Sequence, residues 1–453
     1  MKLAKLSVLL FAFAFFSCSG DDQTDEEGIM NEAPKTEDVQ DNQRNDSLVA
    51  NMLPQTRAVN LTAEQRKFVQ KNNDFSFNFY RALIAAQTKK ESVISSPLSL
   101  TYVLGMLNAG AQGKTSEEIL SLLGYNANNT QEINEFCKSL IEQAGQVDPS
   151  VTMKMANCFV VNQWFSPYDS YVKDMDTYYH AEVSSRNFTD PATLDYINGW
   201  CNRQTEGMIP KILEKLDPAT VFVLMNAVYF KATWAEQFDV ADTRDEIFVS
   251  EDGNRIMVPM MYRKAMTMCY GNNLYRALRF FYGGKDTYEK AGYEMVVLLP
   301  QDGKTVEDVI NGLTQEKWNY TLEHQRQQVI AEIKIPRFST ESDMVLNDVI
   351  ANMGAPSMFK PNEADFSKMM PLTKSGKSGN NLFVSLLKQK AAVEVSEEGT
   401  KMSAVTIAKM DLSSGPITAP QIDFHCNRPF VYFVQEASTG AIFFIGTYRG
   451  ENK

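Results

Sequence analysis

The chain has 453 residues, and its 44 Lys and Arg against 56 Asp and Glu give a formal charge of −12. That balance argues against a nucleic-acid partner, which selects a basic surface. Apolar residues make up 44% and aromatic residues 11%, enough to fill a sizeable core and too much for an intrinsically disordered protein.

Lys2 and Lys5 precede the apolar run Leu6 to Phe16. This is too short for the roughly 20 residues of a spanning helix, and residues 1–17 read as a signal peptide. Its end, Phe15-Phe16-Ser17-Cys18, resembles a bacterial lipobox, in which Cys18 becomes the lipidated first residue after cleavage. A leucine is usual where Phe15 stands, and an ordinary secretory signal is the alternative reading. Both place the chain outside the cytoplasm. The expected location is a bacterial envelope, as an outer-membrane lipoprotein exposed at the surface and held by its N-terminal lipid, or otherwise the periplasm or the medium. Residues 18–58 carry Asp21-Asp22 and Asp25-Glu26-Glu27 with few apolar positions, the composition of an acidic, unstructured tether. Residues 59–453 remain for the folded domain.

Within that domain Phe68, Phe75, Phe79 and Leu83 recur at helical spacing, which predicts a long amphipathic helix ending near Lys89-Lys90. Ser96-Pro97 then offers a capping serine and a first-turn proline for a second helix through Leu104 and Leu107 toward Gly110. Val221 to Phe230, Glu294 to Pro300, and Phe430 to Tyr448 around Ser438-Thr439-Gly440 read as strands. The class is α+β, rich in antiparallel strand.

Motifs for catalysis are missing. Cys137, Cys158, Cys201, Cys269 and Cys426 are widely spaced without a CxxC pair, and Cys158 sits in an apolar strand-like run as a small hydrophobe. His180, His324 and His425 form no metal-binding spacing. Gly110-Ala111-Gln112-Gly113-Lys114-Thr115 ends like a phosphate-binding loop, but Asn108 stands where the first glycine belongs and the segment follows a helix. No GxSxG elbow is present. The expectation is a protein without cofactor or metal, and not an enzyme.

The unusual stretch lies between Val384 and Phe424. A strand around Val393 and Val395 runs into Glu397-Glu398-Gly399-Thr400, where Gly399 can act as a hinge. Lys401 to Lys409 follows as small and β-branched residues able to form a strand, and then the polar, cleavable Asp411-Leu412-Ser413-Ser414-Gly415-Pro416. A free segment able to pair as a strand is ordinarily a hazard, because it seeks open sheet edges.

These features resemble the serpin family, and the resemblance covers Asn60 to Gly450. Ser96-Pro97-Leu98-Ser99 with Gly110 to Thr115 resembles the family's helix B and C region, and Asn226 to Trp234 its strand 3A segment with the breach tryptophan. Ile335-Pro336-Arg337-Phe338, Ala364-Asp365-Phe366-Ser367 and Asn427-Arg428-Pro429-Phe430 match further motifs. The resemblance implies a serpin fold of three β-sheets and about nine helices, with an exposed reactive-centre loop over about residues 399–423. It also implies a suicide mechanism: a protease attacks the loop as substrate, and the cut loop enters sheet A as a new strand before the acyl-enzyme can hydrolyse. The implied partners are extracellular serine proteases, with papain-like cysteine proteases as a further class, and the implied state is a monomer.

The hinge implied by the resemblance covers Glu398, Gly399, Thr400, Met402, Ala404 and Thr406, with Thr400, Met402, Ala404 and Thr406 on one face of the future strand and Thr400 and Thr406 fitting the inhibitory pattern. Met402 and Val405 are bulkier than the usual alanines, and Lys401 replaces an acidic residue. A non-inhibitory serpin, a binding protein or a mere protease substrate, therefore stands as the alternative. Ser96, Ser99 and Asn226 match the polar shutter, Gln389 replaces its usual histidine, and Trp234 marks the breach. Helix capping alone is the other reading of the serines. Counting about fourteen residues beyond Gly399 puts the reactive bond at Ser413-Ser414, with Leu412 as the alternative specificity residue. Either suits the apolar pocket of elastase-, chymotrypsin- or subtilisin-like enzymes and not the charged pocket of trypsin.

Overall fold

The structure, a computed structural model, describes residues 56–126, 129–283, 292–324, 327–371, 382–400 and 419–450. Helix α1 (Ala63–Ala85) begins with a capping box, the Thr62 hydroxyl accepting from the Gln65 amide and the Gln65 side chain accepting from the Thr62 amide. Its buried stripe contains Phe68, Phe75, Phe79 and Leu83. The helix stops at Ala85, short of Lys89-Lys90, because the apolar period ends there and no basic residue occupies its last turn. Strand β1 (Val93–Ser95) leads to α2 (Pro97–Gly110), where Ser96 Oγ accepts from the Ser99 amide at 3.2 Å. Almost every α2 side chain is buried, so this helix is the spine of the core.

Helices α3 (Gly113–Leu122) and α4 (Thr130–Ala144) precede strand β2 (Thr152–Asn162), and α5 (Asp169–Tyr179), β3 (Ala181–Arg186) and α6 (Pro191–Gln204) lead into β4 (Phe222–Thr233). The lookalike phosphate loop is closed by packing. Gln112 N donates to Asp365 O at 3.0 Å, Asp365 N donates to Thr115 Oγ1 at 3.0 Å, and Lys368 N donates to Gly110 O at 3.2 Å. The Gly110–Thr115 and Ala364–Ser367 motifs thus hold each other.

The second half supplies β5 (Arg244–Val249), β6 (Arg255–Gly271), β7 (Tyr275–Phe281), β8 (Tyr293–Pro300), α7 (Val306–Gly312), α8 (Gln315–Glu323), β9 (Gln327–Pro336), β10 (Phe338–Val345) and α9 (Asn347–Asn352). It closes with β11 (Lys388–Val395), β12 (Gly399–Thr400), β13 (Gln421–His425), β14 (Phe430–Glu436) and β15 (Ala441–Tyr448). The β14–β15 turn is fixed by Glu436, whose carboxylate accepts from the Ser438 and Thr439 amides at 2.8 and 2.9 Å. Nine helices occur among the described residues, none long and apolar enough to cross a membrane.

The strands form two hydrogen-bonded networks. One runs β1-β15-β14-β8-β7-β6-β9-β13 with β5 added on β6, and the other runs β10-β11-β12-β4-β2-β3. The three sheets expected emerge as two networks because β6, 17 residues long, pairs with β5 and β9 along most of its length and joins β7 through Cys269 to Gly271. In β4 the even residues Phe230 and Ala232 belong to the main core, whereas Met225 and Ala227 pack with Trp200 and Ile197 of α6. The six-stranded sheet therefore lies between the α2 core and α6.

Candidate functional site

Strands β4 and β11 are neighbours in the six-stranded sheet only through β12, two residues long. Gly399 pairs with Thr233, and Thr400 pairs with Ala232 on one side and Val395 on the other. Among the described residues no strand lies between residues 222–231 of β4 and 388–394 of β11, and Phe222 to Val228 with Lys388 to Ala391 border a cavity of about 1000 Å³. Ser96, Ser99, Asn226 and Gln389 all line it, so the structure brings the four shutter residues around one space. Leu100, Val103, Leu107, Trp200 and Leu224 give it apolar walls.

The polar contacts differ in detail from the expected cluster. Gln389 is buried and accepts from Ser95 Oγ at 2.5 Å and Ser96 N at 3.2 Å, while its Nε2 donates to Ser96 O at 2.8 Å. An amide can replace a histidine here because it donates and accepts at once. Ser96 meets Gln389 through its backbone, its hydroxyl being spent on the cap of α2, and Ser95 supplies the side-chain bond. Asn226 donates to Asn157 Oδ1 at 2.8 Å, and its own Oδ1 is buried without a partner among the described residues.

At the upper end, Trp234 Nε1 donates to Ser396 O at 2.8 Å and its backbone N–H donates to Glu398 O at 2.8 Å. Its ring stacks on Tyr282 with centroids 4.4 Å apart, and the Tyr282 hydroxyl lies 2.8 Å from Thr400 Oγ1. Burial pushes the Tyr282 phenol far up, so it stays a neutral partner. Ser396 and Gly399 exchange backbone hydrogen bonds of 2.8 and 3.2 Å across the turn. Gly399 has φ +152°, and a Cβ there would fall 2.2 Å from Ala232 O, so only glycine fits between these strands. The reactive-centre loop expected from 399 therefore surrenders Gly399 and Thr400 to the sheet, because both are buried and paired, and at its far end residues 421–423 belong to β13.

Glu397, 3% exposed, is held by Arg337 through Nε at 3.0 Å and by Thr243 Oγ1 at 2.7 Å. Burial pushes its carboxyl up, but the Arg337 and Thr243 hydrogen bonds outweigh that and hold it below the usual range. Glu398 differs: one of its carboxylate oxygens is buried without a partner among the described residues. Tyr282, Ser95, Asn157, Glu397 and Arg337 were not marked as site residues in the sequence. All five described cysteines are buried and unpaired, and burial pushes their thiols up, as for Cys201 to about 11, the opposite of an activated nucleophile. Met402, Ala404, Thr406, Leu412, Ser413, Ser414 and Cys18 lie outside the described residues.

Among the described residues the six-stranded sheet thus carries a slot between two of its strands, closed at one end by Gly399 and Thr400. The chain belongs to the serpin family: the profile for serpin (serine protease inhibitor) matches residues 70–449. It is 30% identical to glia-derived nexin of Rattus norvegicus over 387 residues, 83% of this chain and 91% of that protein. Corticosteroid-binding globulin of Pongo abelii is 29% identical over 402 residues, 87% of this chain and 93% of the globulin. Among solved structures, tengpin, a thermophilic serpin in its native state, matches with a TM-score of 0.74 at 26% identity, covering 89% of this chain and 99% of that one. Family members are for the most part protease inhibitors and not enzymes, and their partners are proteases.

Proposed function

We propose that the protein is a suicide-substrate inhibitor of extracellular serine proteases of the elastase, chymotrypsin or subtilisin type, tethered to a bacterial envelope through lipid on Cys18. The observation that carries this reading is the slot between β4 and β11 and its antiparallel register with β12. Continuing that register would set Met402 between Phe230 and Val393, Ala404 between Val228 and Ala391, and Thr406 between Asn226 and Gln389. Phe230, Val393 and Ala391 belong to the main core and Val228 packs against it, so those loop residues would add to that core. Thr406 would bring a hydroxyl to the orphaned Asn226 oxygen. Each unpaired edge of the slot would gain its missing ladder, and an orphaned buried group would find a partner; both favour insertion.

The test mixes the full chain with elastase, chymotrypsin, subtilisin and trypsin. A complex that survives hot SDS, with cleavage after Ser413 or Leu412 by mass spectrometry, supports the reading. Complete cleavage without a complex for every enzyme moves the assignment to a binding serpin, the reading favoured by the similarity to corticosteroid-binding globulin.

A further inference from the structure

Strand β13 follows the loop and fastens its far end by pairing in parallel with β9. In that register Asp423 stands directly beside Glu332, and His425 lies two residues further along β13, on the same face. The alternation supports this: Phe424 is fully buried between exposed Asp423 and half-buried His425. One ligand atom from each of Glu332, Asp423 and His425 falls within 4.8 Å of the others. His425 Nε2 is also shielded from solvent and has no hydrogen-bond partner among the described residues. The His425 ring thus stands beside two carboxylates on paired strands and keeps a buried nitrogen without a partner among the described residues, an arrangement poorly explained as packing.

We propose that Glu332, Asp423 and His425 form a divalent-metal site of the zinc class that rivets β13 to β9. Zinc takes imidazole nitrogen and carboxylate oxygen at about 2.0–2.2 Å, and three protein ligands with one water make an ordinary shell. Ligand atoms in such a shell lie about 3.3 Å apart, so a rotation of exposed Asp423 toward its neighbours completes the site. Two carboxylates and a neutral imidazole match the charge of the ion. Three cations border the site among the described residues, and one of them, Lys334, stands beside His425 in the register but is held by Glu246 at 2.6 Å. Lys264 Nζ bonds Glu332 Oε1 at 3.1 Å and competes with the metal, whereas Arg276 donates to the Asp423 backbone oxygen at 3.1 Å and leaves that carboxylate free. Metal here spans two strands otherwise joined, among the described residues, by their backbone ladder, so it opposes release of the strand that anchors the loop. The site itself does not rest on the inhibitory reading.

The experiment titrates zinc chloride into the EDTA-treated full chain by calorimetry and follows the thermal midpoint. Wild type is expected to bind one zinc and gain thermal stability. H425Q and D423N are expected to lose more than about 10-fold in affinity, with circular dichroism unchanged. K264Q is expected to bind more tightly, a gain that a merely structural role of the cluster would not produce. H180Q is the control, since His180 sits 3.2 Å from Glu142 as a second histidine–carboxylate pair. Absence of zinc binding by wild type, binding unchanged in both H425Q and D423N, or binding lost in H180Q overturns the proposal. D423N changes an exposed side chain and keeps the test decisive even where H425Q fails to fold.

Discussion

The bond between Tyr282 and Thr400 offers the sharpest handle on the hinge. Both side chains are buried, at 0% and 2% exposure, and their oxygens are 2.8 Å apart. Tyr282→Phe leaves the Thr400 hydroxyl buried without a partner, a penalty of about 1–3 kcal/mol on the inserted hinge. Thr400→Val has the same shape and strands the Tyr282 hydroxyl at a similar penalty. The double variant removes both orphans, so its effect is smaller than the sum of the singles, with a coupling near 1 kcal/mol. Withdrawal of the hinge returns the stranded group to water, so each single variant favours the expelled state. Since about 1.4 kcal/mol is tenfold in an equilibrium, each single variant raises the open-hinge population by roughly 5- to 140-fold. Native-state hydrogen exchange of a peptide covering residues 396–402 measures that population directly. Strictly additive singles, or exchange in Tyr282→Phe equal to wild type, would refute the account of the hinge.

Three further outcomes follow from the same geometry. Gly399→Ala drives a methyl group into Ala232 O and is expected to expel β12 from the sheet, read as new proteolytic sensitivity near residue 399. Gln389→Ala removes three buried hydrogen bonds and leaves the Ser95 hydroxyl orphaned, lowering stability by about 2–4 kcal/mol in urea unfolding. Glu397 has a lowered folded pKa, so its contribution is present above the usual glutamate value of about 4.3 and is lost as the pH falls through the folded value. Acid titration of hinge exchange should thus show loosening below about pH 4 in wild type and not in Glu397→Gln.

Local signals carried much of the fold. Ser96-Pro97 announced the start of α2, the period of Phe68, Phe75 and Phe79 announced α1, and Gly399 stood out as a glycine, the residue that its close approach to Ala232 requires. Positions set by long-range pairing left no such trace. Tyr282 joins Trp234 by an isolated bridge outside any strand run, and its contact with Thr400 spans 118 residues. Arg337 was visible only as part of a motif, because its partner Glu397 lies 60 residues on. Ser95 and Ser96 are equal in composition, and only the backbone geometry at the cap decides which hydroxyl is left for Gln389. The widely spaced histidines concealed His425 beside Glu332 for the same reason: sequence spacing does not report cross-strand neighbours.

The central claim is that the slot between β4 and β11 accepts the cut loop. The direct measurement is the thermal midpoint of the full chain before and after a single cleavage in residues 409–414, by a protease that is afterwards inhibited and removed. Insertion would extend the ladder along about ten β4 positions on one edge and about seven β11 positions on the other, which predicts a rise of roughly 10 °C or more. A midpoint unchanged by cleavage would contradict the account, because the slot would then be a cavity that the loop never enters.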